Sequence, residues 1–368
     1  MSANDPGHIN NLDQNQRDLL KSYWLALISA INEEPSSVVE SALGEELFDA
    51  FAHDDPDTIL LRWLRARKWQ VAPAVEMMMD TLKWRQEWGV RRLLDRGERC
   101  VNLEEWSSGK FYHMGKDKVG RPVSYVHAEG HIRGQYPMES TEKCLILFME
   151  LGRYFSEVPN EEGTVILDMG NVGLRNLDYQ YIKFMINAMQ NHYPECLGLS
   201  LVVNAPWSFS TVWSVIRRWL DPVVESKIRF VKNTDELKDY INPDVIPKRL
   251  QGNHADFKYI PVTKDDEVRL ATIHDDEQGK RQAQMEHRQA AKTYLDTTLK
   301  WAKTRSGDEK SEEHERKKAA DRLCTTYQQL MPYISTETHY HRTGMISRSM
   351  FNAAYDRISN QQQQTSST

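Results

Sequence analysis

Three arginines, Arg62, Arg65 and Arg67, cluster on one predicted helix, TILLRWLRARKW. Guanidinium groups at that spacing can clamp a phosphate or carboxylate, or can form a solvated face paired with Asp and Glu. Other reactive side chains are scattered. Cys100, Cys144, Cys196 and Cys324 lie far apart without a CxxC pair, which suits buried thiols in a reducing compartment. His339 and His341 in THYH could share one side of a strand. Two histidines without a third ligand read as a surface loop rather than a metal site. His192, beside Tyr193 and Glu195, reads as a helix-end cap. The chain has no GxGxxG after a strand, no GxxxxGK[ST], no GxSxG and no HExxH. Nucleotide phosphates therefore have no glycine cradle, and no residue stands out as a nucleophile. The expectation is a binding protein, not an enzyme, with no metal and no cofactor.

Composition narrows the partners. The 368 residues are 40% hydrophobic and include ten Trp, enough for two or three domains with a sizeable core. A net charge of −6 with both signs interspersed gives no global attraction to nucleic acid, so any anion site must be local. No apolar run is long enough to span a bilayer. The N-terminal MSANDPGHINNLDQNQRD lacks a basic start and apolar run, so a cytoplasmic protein is expected.

The elements that must position any site can be read along the chain. Residues 1–16 are polar and read as loose. Apolar residues at helical spacing predict a helix over Leu19–Ile31, with others at 45–52, 58–69 and Ala74–Trp88. Asp55 or Asp57 can cap the third, with Pro56 in its first turn. The middle of the chain alternates. Strand-like runs at Val123–Val126, Thr164–Leu167, Leu199–Val203 and Lys227–Val231 are separated by helical patterns at Thr141–Glu157, Asp178–Asn191 and Ser210–Leu220. That order predicts an α/β fold with a mostly parallel sheet, and the VIL and LVV runs suit strands covered on both faces. Residues 276–303 and Leu323–Leu330 read as helices, KTRSGDEKSEEHERKK as a solvated charge run, and NQQQQTSST as disordered. The expected domains are 1–105, 106–256 and 257–368. The charged helical stretch 276–330 suits a partner-binding arm.

Three segments carry more information together than alone: DDPDTILLRWLRARKW with WRQEWGV, then DKVGRPV, then NHYPECLGLSLVVNAPWSFSTVWSVIRRWLDPVVESKIRFV. In order and spacing these resemble the CRAL-TRIO family, specifically its fungal phosphatidylinositol transfer protein branch, over roughly residues 45–255. The resemblance implies a helical N-terminal layer, an α/β lipid-binding domain whose sheet floors a pocket, a lid helix, and here a helical C-terminal extension. It implies a ligand as well, one phospholipid, phosphatidylinositol first, exchanged at membranes without nucleic acid. By the same resemblance Arg67 and Lys227 belong to the head-group site, Glu195 orients Lys227, and Asp117 accepts from inositol hydroxyls. The family's threonine three residues before that lysine is Val224 here. Positions that help hold phosphatidylcholine, aligned on Asp168, are Gly163, Val165 and His113, so phosphatidylcholine is expected to bind poorly. The lid falls on TVWSVIRRWL, where Ser208 or Ser210 can cap the helix and Val212, Val215, Ile216 and Leu220 can face inward. Trp213 and Trp219 suit a water–lipid boundary, and Arg217 and Arg218 can meet anionic head groups. Such a protein would work peripherally at an endosome, endoplasmic reticulum or lipid-droplet surface. The loss of polar groups at Gly163, Val165 and Val224 leaves a rival cargo open, a neutral hydrophobe such as a sterol or squalene.

Overall fold

The computed structural model describes residues 5–156, 160–304 and 310–366. The chain divides into two compact units, an α/β unit over 98–259 and a helical unit that joins 4–97 with 260–368.

The first half of the helical unit holds α1 (Gln14–Ile31), α2 (Ala42–Phe51), α3 (Pro56–Ala66), α4 (Val71–Trp88) and α5 (Val90–Arg96). Starts and stops follow local chemistry. Asp13 and Gln16 make a reciprocal capping box at α1, Ser41 caps α2, and Gly89 ends α4 at φ 64°. At α3 the two candidate caps part company. Asp55 accepts from the Thr58 amide at 3.0 Å, while Asp57 is buried and used elsewhere.

The α/β unit runs α6 (Leu103–Ser107), β1 (Phe111–Lys116), β2 (Pro122–His127), α7 (Met138–Gly152), β3 (Gly163–Asp168), α8 (Tyr179–Asn191), β4 (Leu197–Val203), α9 (Phe209–Ile216), α10 (Pro222–Ser226) and β5 (Ile228–Phe230). The sheet order is β1-β2-β3-β4-β5, with β1 antiparallel to β2 and the other pairs parallel. Strand β1 is not visible as a clear alternation in FYHMGK. Its cue is the aromatic pair ahead of a Gly-containing turn. Side chains alternate across the sheet. One face carries Tyr112, Met114, Val123, Tyr125, Ile166, Leu199, Leu201 and Val203, packed with Val231, Leu237, Ile241, Ile246 and Leu250 into a closed core.

The second half of the helical unit comprises α11 (Lys264–His274), α12 (Glu277–Lys303), α13 (Lys310–Ile334), α14 (His339–Arg342) and α15 (Ser349–Ser366). The charged C-terminal stretch is in part a core element. Ala290, Ala291, Tyr294, Leu295, Trp301 and Leu323 share one core with Leu20, Trp24, Leu27, Phe51 and Leu60 of the N-terminal helices. The charge run is solvated on one side only: α13 extends from Lys310, and within it Arg316 and Ala319 turn inward. His339 and His341 are likewise buried in a short helix rather than exposed in a loop. Their Nδ1 atoms accept from the amides of Ile260 and Thr338 at 2.9 and 3.0 Å. The glutamine tail, expected to be disordered, continues α15 as far as Ser366, because Gln favours helix once an upstream turn has nucleated it. Residues 305–309 of the charge run and Ser367 and Thr368 lie outside the described residues.

A buried ion pair ties the two halves of this unit. Arg316 donates to both Asp57 oxygens at 2.5 and 2.6 Å, to Thr298 at 2.9 Å and to Tyr294 at 2.7 Å. Trp24 Nε1 adds a 2.7 Å bond to Asp57. Arg316→Met should strand the Asp57 carboxylate and cost about 3–5 kcal/mol in urea denaturation. A loss below about 1 kcal/mol would show that the pair is dispensable.

Candidate functional site

The second face of the sheet is built from the same residue types but is not closed. Val126, Val165, Leu167 and Ile228 are only half-buried, and Phe230 is 46% exposed. On the opposite face Val123, Tyr125, Ile166 and Leu201 are all at 0%. The open face is covered in part by α9. Its Phe209, Val212 and Trp213 pack with Leu167, Met169, Val202 and Ile228. Trp213 meets Phe230 edge-on at 5.2 Å. An apolar floor with a partial apolar cover is a surface suited to hydrocarbon.

Helix α9 is lightly held. Ser208 makes no capping bond and Ser210 donates instead to the Trp207 carbonyl, so the expected cap is absent. The helix tightens into a 3-10 turn at Arg217–Trp219 rather than continuing to Leu220. Val215 is exposed, while Ile216, Trp219 and Leu220 are half-buried. Two bonds from one residue of α8 tether its far end: Gln190 Nε2 donates to the Trp219 carbonyl at 3.2 Å, and Gln190 Oε1 accepts from the Asp221 amide at 2.6 Å. Trp219 also meets Tyr179 edge-on at 5.9 Å and takes Lys183 over its face at 4.8 Å. Nothing in the sequence singled out Gln190.

The polar residues expected at the head group divide between the units. Arg67 lies in the helical unit as the C-cap of α3, half-buried, its guanidinium 3.4 Å from the Ala66 carbonyl. The structure brings Asp117, Glu195 and Lys227 to the ends of β3 and β4 where those strands begin. Lys227 Nζ donates to Glu162 at 2.9 Å and to the Leu197 carbonyl at 2.6 Å. Its carboxylate partner is thus Glu162, a residue missed in NEEGTVILD because a lone Glu before a strand carries no pattern. Glu195 sits at φ 58° in the bend leading to β4. Asp117 is fully engaged inside the chain: one oxygen accepts from the amides of Val119 and Arg121 at 3.0 and 2.9 Å. The other accepts from Arg121 Nε and Thr164 Oγ1 at 2.8 and 2.7 Å. That pattern makes it the organiser of the DKVGRP turn.

His113 is equally committed. Its ring stacks on Phe148 of α7 at 4.1 Å, and its two nitrogens pair with Ser124 Oγ and the Phe148 carbonyl at 2.9 Å each. At the opposite end of the strands, Asp168 joins His127, Asn204 and the Gly170 amide at 3.0, 2.9 and 3.0 Å. Burial pushes its carboxyl up, but these bonds outweigh burial and hold it at about 2. The group pins β2, β3 and β4 to one another where they end. Among the described residues no cluster of His, Cys, Asp and Glu could hold a metal ion, and no helix is long and apolar enough to cross a membrane.

Comparison with known proteins agrees with this architecture. The CRAL/TRIO domain model matches residues 107–252 and the CRAL/TRIO N-terminal domain model residues 25–80. A CRAL-TRIO domain-containing protein of Schizosaccharomyces pombe is 38% identical over 82% of this chain and 68% of its own. The phosphatidylinositol transfer protein CSR1 of Eremothecium gossypii is 31% identical over 83% of this chain and 72% of its own. The crystal structure of Sfh5 shares the fold at a TM-score of 0.50 and 17% identity, covering 60% of this chain and 83% of that one. The chain belongs to the CRAL-TRIO family, in the branch that holds the fungal phosphatidylinositol transfer proteins.

Burial depresses the His113 pKa to about 4 despite its bond to the Phe148 carbonyl. The folded state therefore refuses a proton that the unfolded chain accepts near 6.5. Stability from this residue is complete above that pH and is lost as pH falls toward 4, by roughly 3 kcal/mol. Urea midpoints measured from pH 7 to 4 should fall less steeply in His113→Gln than in the parent chain. Parallel curves would contradict the assignment.

Proposed function

We propose that this protein is a soluble, non-catalytic lipid carrier that takes up one phospholipid, phosphatidylinositol first, and exchanges it at membranes. The observation that carries the reading is the half-covered apolar face of the sheet beneath the lightly held helix α9. Family membership and the named activity of the CSR1 relative support the lipid class. The acyl chains would lie on Val126, Val165, Leu167 and Ile228. The head group would meet Lys227, released from Glu162, together with Glu195; a part for Arg67 rests on the family resemblance alone. Asp117 would act by holding the turn rather than by touching inositol. No cofactor is needed beyond the bound lipid.

Transient membrane contact is part of the proposal. Trp207 is 93% exposed, and Val215, Val223, Arg217 and Arg218 are exposed on the same stretch of chain. Aromatic and cationic side chains together suit an anionic membrane surface. The protein would then work from the cytoplasm, peripherally at an endosome, endoplasmic reticulum or lipid-droplet surface.

One observation favours a second reading. Asp117 and Lys227 are both engaged within the chain, and Val165, Gly163 and Val224 add no polar group. A neutral hydrophobe such as a sterol or squalene would need none. Vesicle-to-vesicle transfer separates the two. Transfer of labelled phosphatidylinositol should fall about tenfold in folded Arg67→Ala and Lys227→Ala, as expected on losing a charge-assisted bond. Phosphatidylcholine should transfer poorly in the parent chain. Undiminished phosphatidylinositol transfer in both variants, or sterol transfer without phosphatidylinositol transfer, would overturn the head-group assignment. Gln190→Ala should release α9 and speed lipid exchange several-fold, since each of its bonds is worth about 1 kcal/mol. An unchanged exchange rate would mean that the tether does not limit opening.

A further inference from the structure

Strands β2, β3 and β4 end in step, with His127 beside Asp168 and Asp168 beside Val203. The segments that leave them, 128–137, 169–178 and 204–208, therefore lie along one edge of the sheet. They are tied to one another. The Arg133 amide donates to the Arg175 carbonyl at 2.9 Å, Asn204 donates to Asp168 at 2.9 Å, and Met169 packs with Ala205.

This edge carries the two most exposed large apolar side chains among the described residues, Leu174 at 87% and Trp207 at 93%. A single exposed leucine is ordinary on a protein surface. Leu174 differs because its loop is built to keep it there. It opens the 3-10 turn Leu174–Asn176. Asn176 locks that turn: its Oδ1 accepts from the Gly173 amide at 2.8 Å, and its Nδ2 donates to the carbonyls of Glu129 and His131 at 3.0 and 2.8 Å. Asn171 adds a 2.9 Å bond to the Glu129 carboxylate. A slack loop would turn its leucine inward, whereas this one is fixed with the leucine in water.

Charge on the same edge points one way. Glu129, Asp168 and Asp178 are its carboxylates, and all three are engaged within the chain. Glu129 pairs with Arg249, Asp168 with His127, and Asp178 with His131 and the Tyr181 amide. Arg133 and Arg175 are exposed, and among the described residues neither guanidinium has an ion-pair partner. The exposed charge here is thus cationic, although the whole chain carries −6.

We propose that this edge is a preformed docking surface for an anionic phospholipid bilayer. Leu174 and Trp207 enter the interfacial layer, and Arg133 and Arg175 meet lipid phosphates. The proposal rests on the membrane exchange read above and adds anchors that lie outside the lid stretch. Trp207 lies just before α9, so docking brings the start of that helix to the bilayer while Gln190 holds its far end.

Sedimentation of the full chain with vesicles tests this, using phosphatidylcholine mixed with phosphatidylserine and phosphatidylcholine alone. Neither vesicle holds phosphatidylinositol, so docking is read apart from exchange of the proposed cargo. The parent chain should bind the mixed vesicles more tightly, and added salt should weaken that binding. Leu174→Ser should weaken it about tenfold and Arg175→Gln about fivefold. Thermal midpoints should not move, since both side chains lie in solvent. Val119→Ser alters an exposed valine at the opposite edge, where β2 begins, and should bind as the parent does. Failure of the parent chain to bind mixed vesicles, or an equal loss in Val119→Ser, overturns the proposal. So does a loss confined to Trp207→Ser, which would restrict the contact to the lid stretch. Lipid extracted from the purified chains keeps two failures apart. Undiminished docking of Leu174→Ser with lipid recovered overturns the surface and leaves the carrier reading standing. A lipid-free parent chain overturns the carrier reading and the surface that rests on it.

Discussion

On the proposed reading, apolar contact between α9 and the second face of the sheet has to be strong enough to shield hydrocarbon and weak enough to be broken. Phe209, Val212 and Trp213 supply that contact, and Gln190 adds two hydrogen bonds at the far end. The helix has no side-chain cap at its start. Energetics explain why such a light closure is adequate. Two acyl chains of about 30 methylenes represent on the order of 20 kcal/mol of transfer from water. In a membrane those chains are already dry, so the protein has only to match the bilayer. A lid of this kind opening at a membrane would lose little, whereas opening in water would expose the whole apolar load.

A face only partly covered by the chain's own side chains cannot contribute fully to stability, so stability must come from other surfaces. The opposite face of the sheet is closed by Val231, Leu237, Ile241, Ile246 and Leu250. Asp168 with His127 and Asn204 fixes the strand ends, and Asp117 with Arg121 and Thr164 fixes their beginnings. The helical unit has its own solution. Its first and last segments complete one core around Trp24 and Tyr294, with the Asp57–Arg316 pair buried inside. That pair gains from three further donors or acceptors, the condition under which buried charges are tolerated.

Periodicity made most of the fold legible in the sequence. The helices up to Trp88, the parallel strands β2 to β4 and the helices between them follow from spacing and turn residues. Strand β1 was hidden because FYHM is buried on both faces and shows no alternation. The inward role of α12 and α13 was hidden because their buried stripe is narrow and made largely of Ala, Tyr and Leu between charged residues. Site residues were legible only as types. Lys227 and Asp117 could be picked from their motifs, but which carboxylate faces which cation is a matter of three dimensions. Glu162 rather than Glu195 meets Lys227 for that reason. Gln190 was invisible, since a tether is defined by its surroundings alone.

The central claim is that the incompletely covered face of the sheet holds a lipid. Native mass spectrometry of the chain purified from its own host tests this directly, followed by extraction and identification of whatever is bound. The account predicts one phospholipid per chain, an inositol phospholipid among the extracted species. A population consisting only of the bare chain, with no lipid recovered on extraction, would contradict it.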